Sequence, residues 1–176
     1  MTRYDTQRPD CLCQGFAMPR LAAGDLAPNF KLPDQDGVTV SLADLRRQAG
    51  KSGSVVVYFY PADDTPGCTK EACQFNDNLE AFSEVNTVIV GISPDGQDKH
   101  NKFRSKYGLG IRLLSDPEHA AMIPYGAYGA KTLYGKQTVG VIRSTFLIGS
   151  NGKIRRAWYS VRADGHAAKV LEEVAT

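Results

Sequence analysis

Apolar residues return along this chain in two rhythms, as continuous or alternating runs and as stripes spaced three or four positions apart. Val55-Val56-Val57-Tyr58-Phe59-Tyr60 is an unbroken β-branched and aromatic run closed by Pro61, which suits a strand covered on both faces and so central in its sheet. Thr87-Val88-Ile89-Val90-Gly91-Ile92 reads as a second buried strand. Between them, Thr65 can cap a helix and Pro66 suits its first position, where the missing N–H costs nothing. Counted from Cys68 at about 100° per residue, Ala72, Phe75, Leu79 and Phe82 all fall within about 40° of it, forming one narrow apolar stripe. Residues 55–92 therefore predict a strand, a helix and a second strand joined by a parallel, right-handed crossover.

Outside this unit the pattern is weaker. Phe30-Lys31-Leu32 and Val38-Thr39-Val40 flank a Gln35-Asp36-Gly37 turn signal and predict an opening hairpin. Asp98 to Tyr107 is a polar helix candidate, Leu113-Leu114 a short strand, and Tyr125 to Gly140 a Tyr/Gly-rich connection. Ser144 to Ile148 and Ile154 to Ser160 alternate as strands on either side of Gly149-Ser150-Asn151-Gly152, an antiparallel pair. Gly165 to Val174 closes the chain as a helix with Ala167, Val170, Leu171 and Val174 on one face. The fold class expected is α/β, a mixed sheet with helices on both sides and no internal repeat. One domain runs from residue 21 to 176, and polar residues 1–20, with Pro9 and Pro19, read as a flexible extension.

Composition narrows the function classes. Of 176 residues, 42% are hydrophobic, and 21 Lys and Arg face 19 Asp and Glu for a net charge of +2. So even a balance offers no broad field for phosphate backbones or anionic lipid. Neither nucleic acid nor membrane is an expected partner. The longest strongly apolar run falls far short of the ~20 residues of a membrane span. The first residues also lack the apolar stretch of a secretory signal, so the default compartment is the cytoplasm. Four cysteines, Cys11, Cys13, Cys68 and Cys73, are too few for a disulfide-stapled scaffold.

Cys68 falls in the first turn of the predicted helix, where free backbone N–H groups and the helix dipole favour an anion. The thiolate is the reactive form of cysteine, so position alone makes Cys68 either a nucleophile or the first, inert member of the apolar stripe. Cys73 lies about 140° around the helix, off that stripe, and core packing does not account for it. Five residues of ideal helix separate the two Cα atoms by roughly 8.6 Å, beyond the ~7 Å reach of a disulfide. A bond between them requires the helix to unwind locally, which costs least in its first turns.

Pro61-Ala62-Asp63-Asp64-Thr65-Pro66-Gly67-Cys68 resembles the P-x-x-x-T-x-x-C active-site loop of peroxiredoxins, and the C-x4-C spacing resembles their bacterioferritin comigratory protein, or peroxiredoxin Q, branch. Gly24-Asp25-Leu26-Ala27-Pro28, Leu113-Leu114-Ser115-Asp116-Pro117, Arg143-Ser144-Thr145-Phe146 and Gly165-His166-Ala167 extend the similarity in order. The resemblance implies a thioredoxin-like fold and a thiol peroxidase that reduces hydrogen peroxide and organic hydroperoxides to water or alcohols. It implies Cys68 as the peroxidatic cysteine, which becomes a sulfenic acid, and Cys73 as the resolving cysteine, which closes an intramolecular disulfide. Thr65 would hydrogen-bond thiolate and peroxide, Pro61 would shield the pocket, and Arg143 would supply a guanidinium to the charge building on the peroxide. No cofactor or metal is implied; thioredoxin or a related thiol is the implied reductant, and the chain is expected as a monomer or weak homodimer.

Other readings stand beside these. Glu71 lies about 60° from the stripe's centre and is either Arg143's partner or an ordinary acidic residue of the first turn. Arg143 could equally be an edge residue of its strand, and Tyr60 either lines the site's entrance or belongs to the core. His100, His119 and His166 fit no metal or triad spacing, and His166 reads as structural. Gly129 to Lys136 lacks the spacing and the Ser or Thr of a phosphate loop. A zinc site built from Cys11, Cys13, Cys68 and Cys73 matches no standard spacing. Cys11 and Cys13 otherwise belong to a tail with a secondary redox role at most, and Met18 is an alternative start. A thiol-disulfide oxidoreductase would want C-x2-C, which is absent; a redox-sensing or chaperone-like protein is the non-enzymatic alternative.

Overall fold

The computed structural model describes residues 20–176; Cys11, Cys13, Met18 and the rest of the expected extension up to residue 19 lie outside them. The central run becomes strand β3 (Ser54–Phe59), and every residue of it is buried. It pairs in parallel with β4 (Thr87–Ser93) and antiparallel with β8 (Ser144–Gly149), Tyr58 standing opposite Gly91 on one side and Thr145 on the other. With β5 (Arg112–Ser115) and β9 (Ile154–Trp158) the sheet has the order β5-β4-β3-β8-β9. This is the expected mixed α/β sheet, and the fold is thioredoxin-like. The opening hairpin forms as β1 (Lys31–Pro33) and β2 (Thr39–Ser41).

The pleat of β3 sorts the core into two layers. Val55, Val57 and Phe59 face one side, where they meet Leu42 and Leu45 of helix α1 (Leu42–Ala49) and the buried Tyr125. Val56, Tyr58 and Tyr60 face the other, with Cys68, Ala72 and Phe75 of helix α2 (Pro66–Asp77) and Ala167 and Val170 of helix α5 (His166–Ala175). Phe75 is fully buried and stacks on Tyr58 at 4.7 Å between ring centroids; burial of such a side chain is worth about 1.5–3 kcal/mol. Helices therefore cover both faces, as the pattern predicts.

Four local features depart from the sequence reading. The stripe from Cys68 to Phe82 is shared by two helices, because the chain breaks at Asn78 (φ −99°, ψ 7°) before α3 (Leu79–Glu84). Asn76, Asp77 and Asn78 are poor helix formers that compete for backbone partners, and the Asn78 side chain donates to the Gln74 carbonyl at 2.7 Å. Helix α1 was not expected, although Ser41 and Asp44 form a capping box at its start and Gly50 ends it. The connection from Tyr125 to Gly140 contains a hairpin, β6 (Tyr128–Leu133) and β7 (Lys136–Val141), turned by Tyr134 and Gly135 at φ 50° and 76°. Most of its residues are exposed, so no apolar alternation marks it. Finally, Thr65 takes the capping position of α2, but its hydroxyl donates to the Ala62 carbonyl at 3.1 Å instead of capping the helix. Helix α4 (Gln97–Tyr107), close to its predicted bounds, ends at Gly108 in the left-handed region.

Candidate active site

The segment leaving β3 at Tyr60 reaches α2 within six residues, and the order Thr65-Pro66-Gly67-Cys68 puts Cys68 third in the helix. Pro66 pre-sets the first turn, whose N–H groups have no partner within the helix. Cys68 is buried, with 2% of its surface exposed, yet it is in hydrogen-bond contact with a charge: Arg143 Nη2 donates to its Sγ at 3.1 Å. Arg143 precedes β8, the strand beside β3, and its backbone carbonyl accepts from Val161 N–H. Sheet register therefore brings a guanidinium from late in the chain over the start of α2. The fit is close, since a Cβ on Gly67 would stand 3.3 Å from Nη2.

Arg143 Nη1 donates to Glu71 Oε2, and the Glu71 carboxyl is fully buried with Oε1 unpartnered. Burial pushes the Glu71 carboxyl up to about 7, with the Arg143 charge opposing the rise. Burial works against the Arg143 charge too, but Glu71 and then Cys68 outweigh it and hold the guanidinium above its ordinary value. Glu71 is thus Arg143's partner and not a surface residue favoured by the dipole. Arg143 is no edge residue.

Cys73 is half-buried and packs against the same apolar layer as Cys68, so core packing explains part of its placement, contrary to the reading from helix angle. Its thiol is pushed up by burial and, secondarily, by Asp77 one turn on. Both cysteines are free thiols on one unbroken helix. Pro61 is half-buried where the chain leaves β3. Tyr60 is core, not entrance: it is 1% exposed, and its hydroxyl donates to Asp63 Oδ1 at 2.5 Å.

His166 is buried between Phe75 and Trp158, with Nε2 2.8 Å from Thr145 Oγ1. Burial, then Lys169 and Arg143, bring its imidazole down to about 4, so it is neutral and ties α5 to β8. His100, which fits no triad spacing, does stand in a cluster, with Nδ1 2.6 Å from Asp63 Oδ2. The sequence offers no signal for that contact because 37 residues separate the partners. Among the described residues no group of three side chains is placed to hold a metal.

A buried thiol at a helix start, faced by a guanidinium that precedes an inner strand of a thioredoxin-like sheet, defines a cysteine-based redox protein. The AhpC/TSA family is matched over residues 23–157. Among curated relatives, Rv2521 of Mycobacterium tuberculosis strain H37Rv is 52% identical over 155 residues, 88% of this chain and 96% of its own. Peroxiredoxin Bcp of Bacillus subtilis is 42% identical over 149 residues, 85% of this chain and 92% of its own. A solved structure of the Xanthomonas campestris bacterioferritin comigratory protein, described for its alkyl peroxide reduction activity, superposes with TM-score 0.75 at 34% identity, over 83% of this chain and 90% of that one. The chain belongs to the AhpC/TSA family, as a peroxiredoxin of the Bcp/PrxQ subfamily, and it is a thiol peroxidase that reduces peroxides.

Proposed function

We propose that Cys68 attacks the peroxide and that Cys73 resolves the product, with thioredoxin or a related thiol as reductant. The observation that carries the reading is the 3.1 Å contact between Arg143 Nη2 and Cys68 Sγ, made by a guanidinium whose other arm is held by Glu71. The Cys68 thiolate attacks one peroxide oxygen and breaks the O–O bond. Cys68 takes that oxygen up as a sulfenic acid, and the other oxygen leaves as hydroxide or alkoxide, which takes a proton from solvent to become water or an alcohol. Arg143 is already in place to meet charge developing on the peroxide, so little reorganisation is needed at the moment of reaction. The backbone N–H of Cys68 adds a second donor. The Thr65 hydroxyl donates its hydrogen bond to the Ala62 carbonyl and not to the Cys68 thiolate, and it keeps lone pairs free to accept from the hydroperoxide O–H. Pro61 limits water at the entrance, and Glu71 aims the guanidinium.

Resolution follows when Cys73 attacks the sulfenic sulfur, forming the disulfide and releasing water. Ideal helix geometry sets the two Cα atoms roughly 8.6 Å apart, so the start of α2 must unwind first. The break at Asn78 limits how far that unwinding spreads. Alkyl peroxide reduction by the Xanthomonas relative supports organic hydroperoxides as substrates beside hydrogen peroxide.

The test is peroxide consumption with thioredoxin and its reductase. Cys68→Ser abolishes it; a Cys68→Ser protein that keeps full activity sinks the reading. Cys73→Ser reacts once and accumulates a sulfenic acid trapped by dimedone, while oxidised wild type yields a 68–73 disulfide by mass spectrometry. Oxidised wild type without that bond overturns the role of Cys73 alone.

A further inference from the structure

The segment 60–65, which carries Pro61 and Thr65, is tied to α4 at two successive carboxylates. Asp63 is 3% exposed, accepts the Tyr60 hydroxyl on Oδ1, and faces Nδ1 of the fully buried His100 across 2.6 Å on Oδ2. Nε2 of His100 lies 3.1 Å from the Leu114 carbonyl, which can only accept, so Nε2 bears a proton. Nδ1 and Oδ2 at their distance then require a further proton between them. The Asp63 N–H donates to Asp95 Oδ2 at 2.6 Å, and Asp95 is in turn held by Lys99 of α4 at 2.6 Å.

Asp64, the next residue, sits in the left-handed region at φ 59°, which aspartate tolerates better than most non-glycine residues. Its carboxylate accepts from Lys106 Nζ at 2.8 and 2.9 Å and from the Tyr107 hydroxyl at 2.6 Å, both at the end of α4. Thr65 follows directly.

A buried polar pair is poor evidence of stabilisation, since well-packed apolar side chains commonly do as well. What Asp63 and His100 add is direction, because their hydrogen bonds admit one placement of the segment. We propose that α4 is the positioning element of the peroxidase reaction. Through the Asp63–His100 pair, with the Asp64 tie behind it, α4 sets where Thr65 and the first turn of α2 stand when Cys68 meets its substrate. The inference rests on Cys68 as the attacking thiol. Asp63, His100, Lys106 and Tyr107 are positioning residues; none is required to touch peroxide.

Asp63→Asn separates geometry from charge. Its amide oxygen still accepts from Tyr60, and its NH2 donates to an unprotonated Nδ1, so the bonds persist without the shared proton. The experiment measures single-turnover oxidation of Cys68 by hydrogen peroxide in a Cys73→Ser parent, with dimedone trapping and mass spectrometry. Displacement of a reacting geometry by about 1 Å costs up to ~100-fold, so Asp63→Ala and His100→Ala slow the reaction about 10- to 100-fold. Asp63→Asn stays within about threefold. Leu45→Ala, which opens the core on the opposite face of the sheet, stays within about twofold and separates positioning from general destabilisation. Lys106→Met combined with Tyr107→Phe, which leaves the buried layers intact, slows the reaction about three- to tenfold and decides the matter if the inner variants fail to fold. Parent rates in Asp63→Ala or in that double variant overturn the proposal, as does Asp63→Asn as slow as Asp63→Ala. A parent that does not react with peroxide refutes the reading of Cys68 instead.

Discussion

Glu71→Gln exposes how the carboxyl beneath Arg143 is held. The carboxyl is fully buried, only Oε2 is partnered, and burial raises it from 4.5 to about 7 despite the neighbouring guanidinium. The folded protein therefore holds this proton more tightly than the unfolded chain does. As pH climbs from 4.5 through 7, the unfolded chain releases the proton first, and folding stability falls. At about 1.4 kcal/mol per pH unit, a shift of roughly 2.5 units removes about 3 kcal/mol between pH 4.5 and 8. Glutamine carries no such proton. Urea unfolding of the reduced protein, followed by the fluorescence of its single tryptophan, Trp158, measures both proteins across that range. Relative to wild type, Glu71→Gln gains about 3 kcal/mol on going from pH 4.5 to pH 8. A difference that stays constant over the range refutes the reasoning, because it means that the carboxyl titrates alike in both states.

Arg143→Lys keeps the charge but replaces a fork that reaches Glu71 with one arm and Cys68 with the other by a single point. The expected loss in kcat/KM for hydrogen peroxide is about 10- to 100-fold, and a loss under twofold removes the guanidinium from the reaction. Asp77→Asn acts on the resolving step. Burial and then Asp77 hold the Cys73 thiol up, so the rate of disulfide closure rises with pH as thiolate forms. Without the Asp77 charge, stopped-flow rates after a peroxide pulse shift their rise to lower pH; an unmoved profile contradicts the role given to that carboxylate.

The central strands and the stripe on α2 were legible because β3 and β4 are buried on both faces and leave unbroken apolar runs in the sequence. The place of Cys68 in the first turn of α2 was legible from Thr65-Pro66, whereas its reactive role came only from the resemblance to a family. Helix α1 carried its own signals, Ser41, Asp44 and Gly50, but only Leu42, Leu45 and Ala49 mark its buried face, too few to stand out. The hairpin β6–β7 packs little, and without burial there is no period to read. The contact of Asp63 with His100 was hidden for a different reason: the partner lies 37 residues away on α4, and residue spacing carries no trace of it; the pairing of Glu71 with Arg143 was open as one of two alternatives only through the resemblance to a family. Asn78 shows the converse, a continuous apolar stripe over a backbone that breaks.

The neighbourhood of β8 and β3 also governs when the thiol acquires its cation during synthesis. Cys68 precedes Arg143 by 75 positions, and the guanidinium reaches Sγ only after β8 has docked antiparallel on β3. A nascent chain that has emerged only as far as β5 already contains Cys68 and Cys73 but lacks the charge that faces the first of them. The contact between cation and thiol is thus made by the pairing of two strands far apart in the chain, and any chain that stops short of β8 holds both thiols without it.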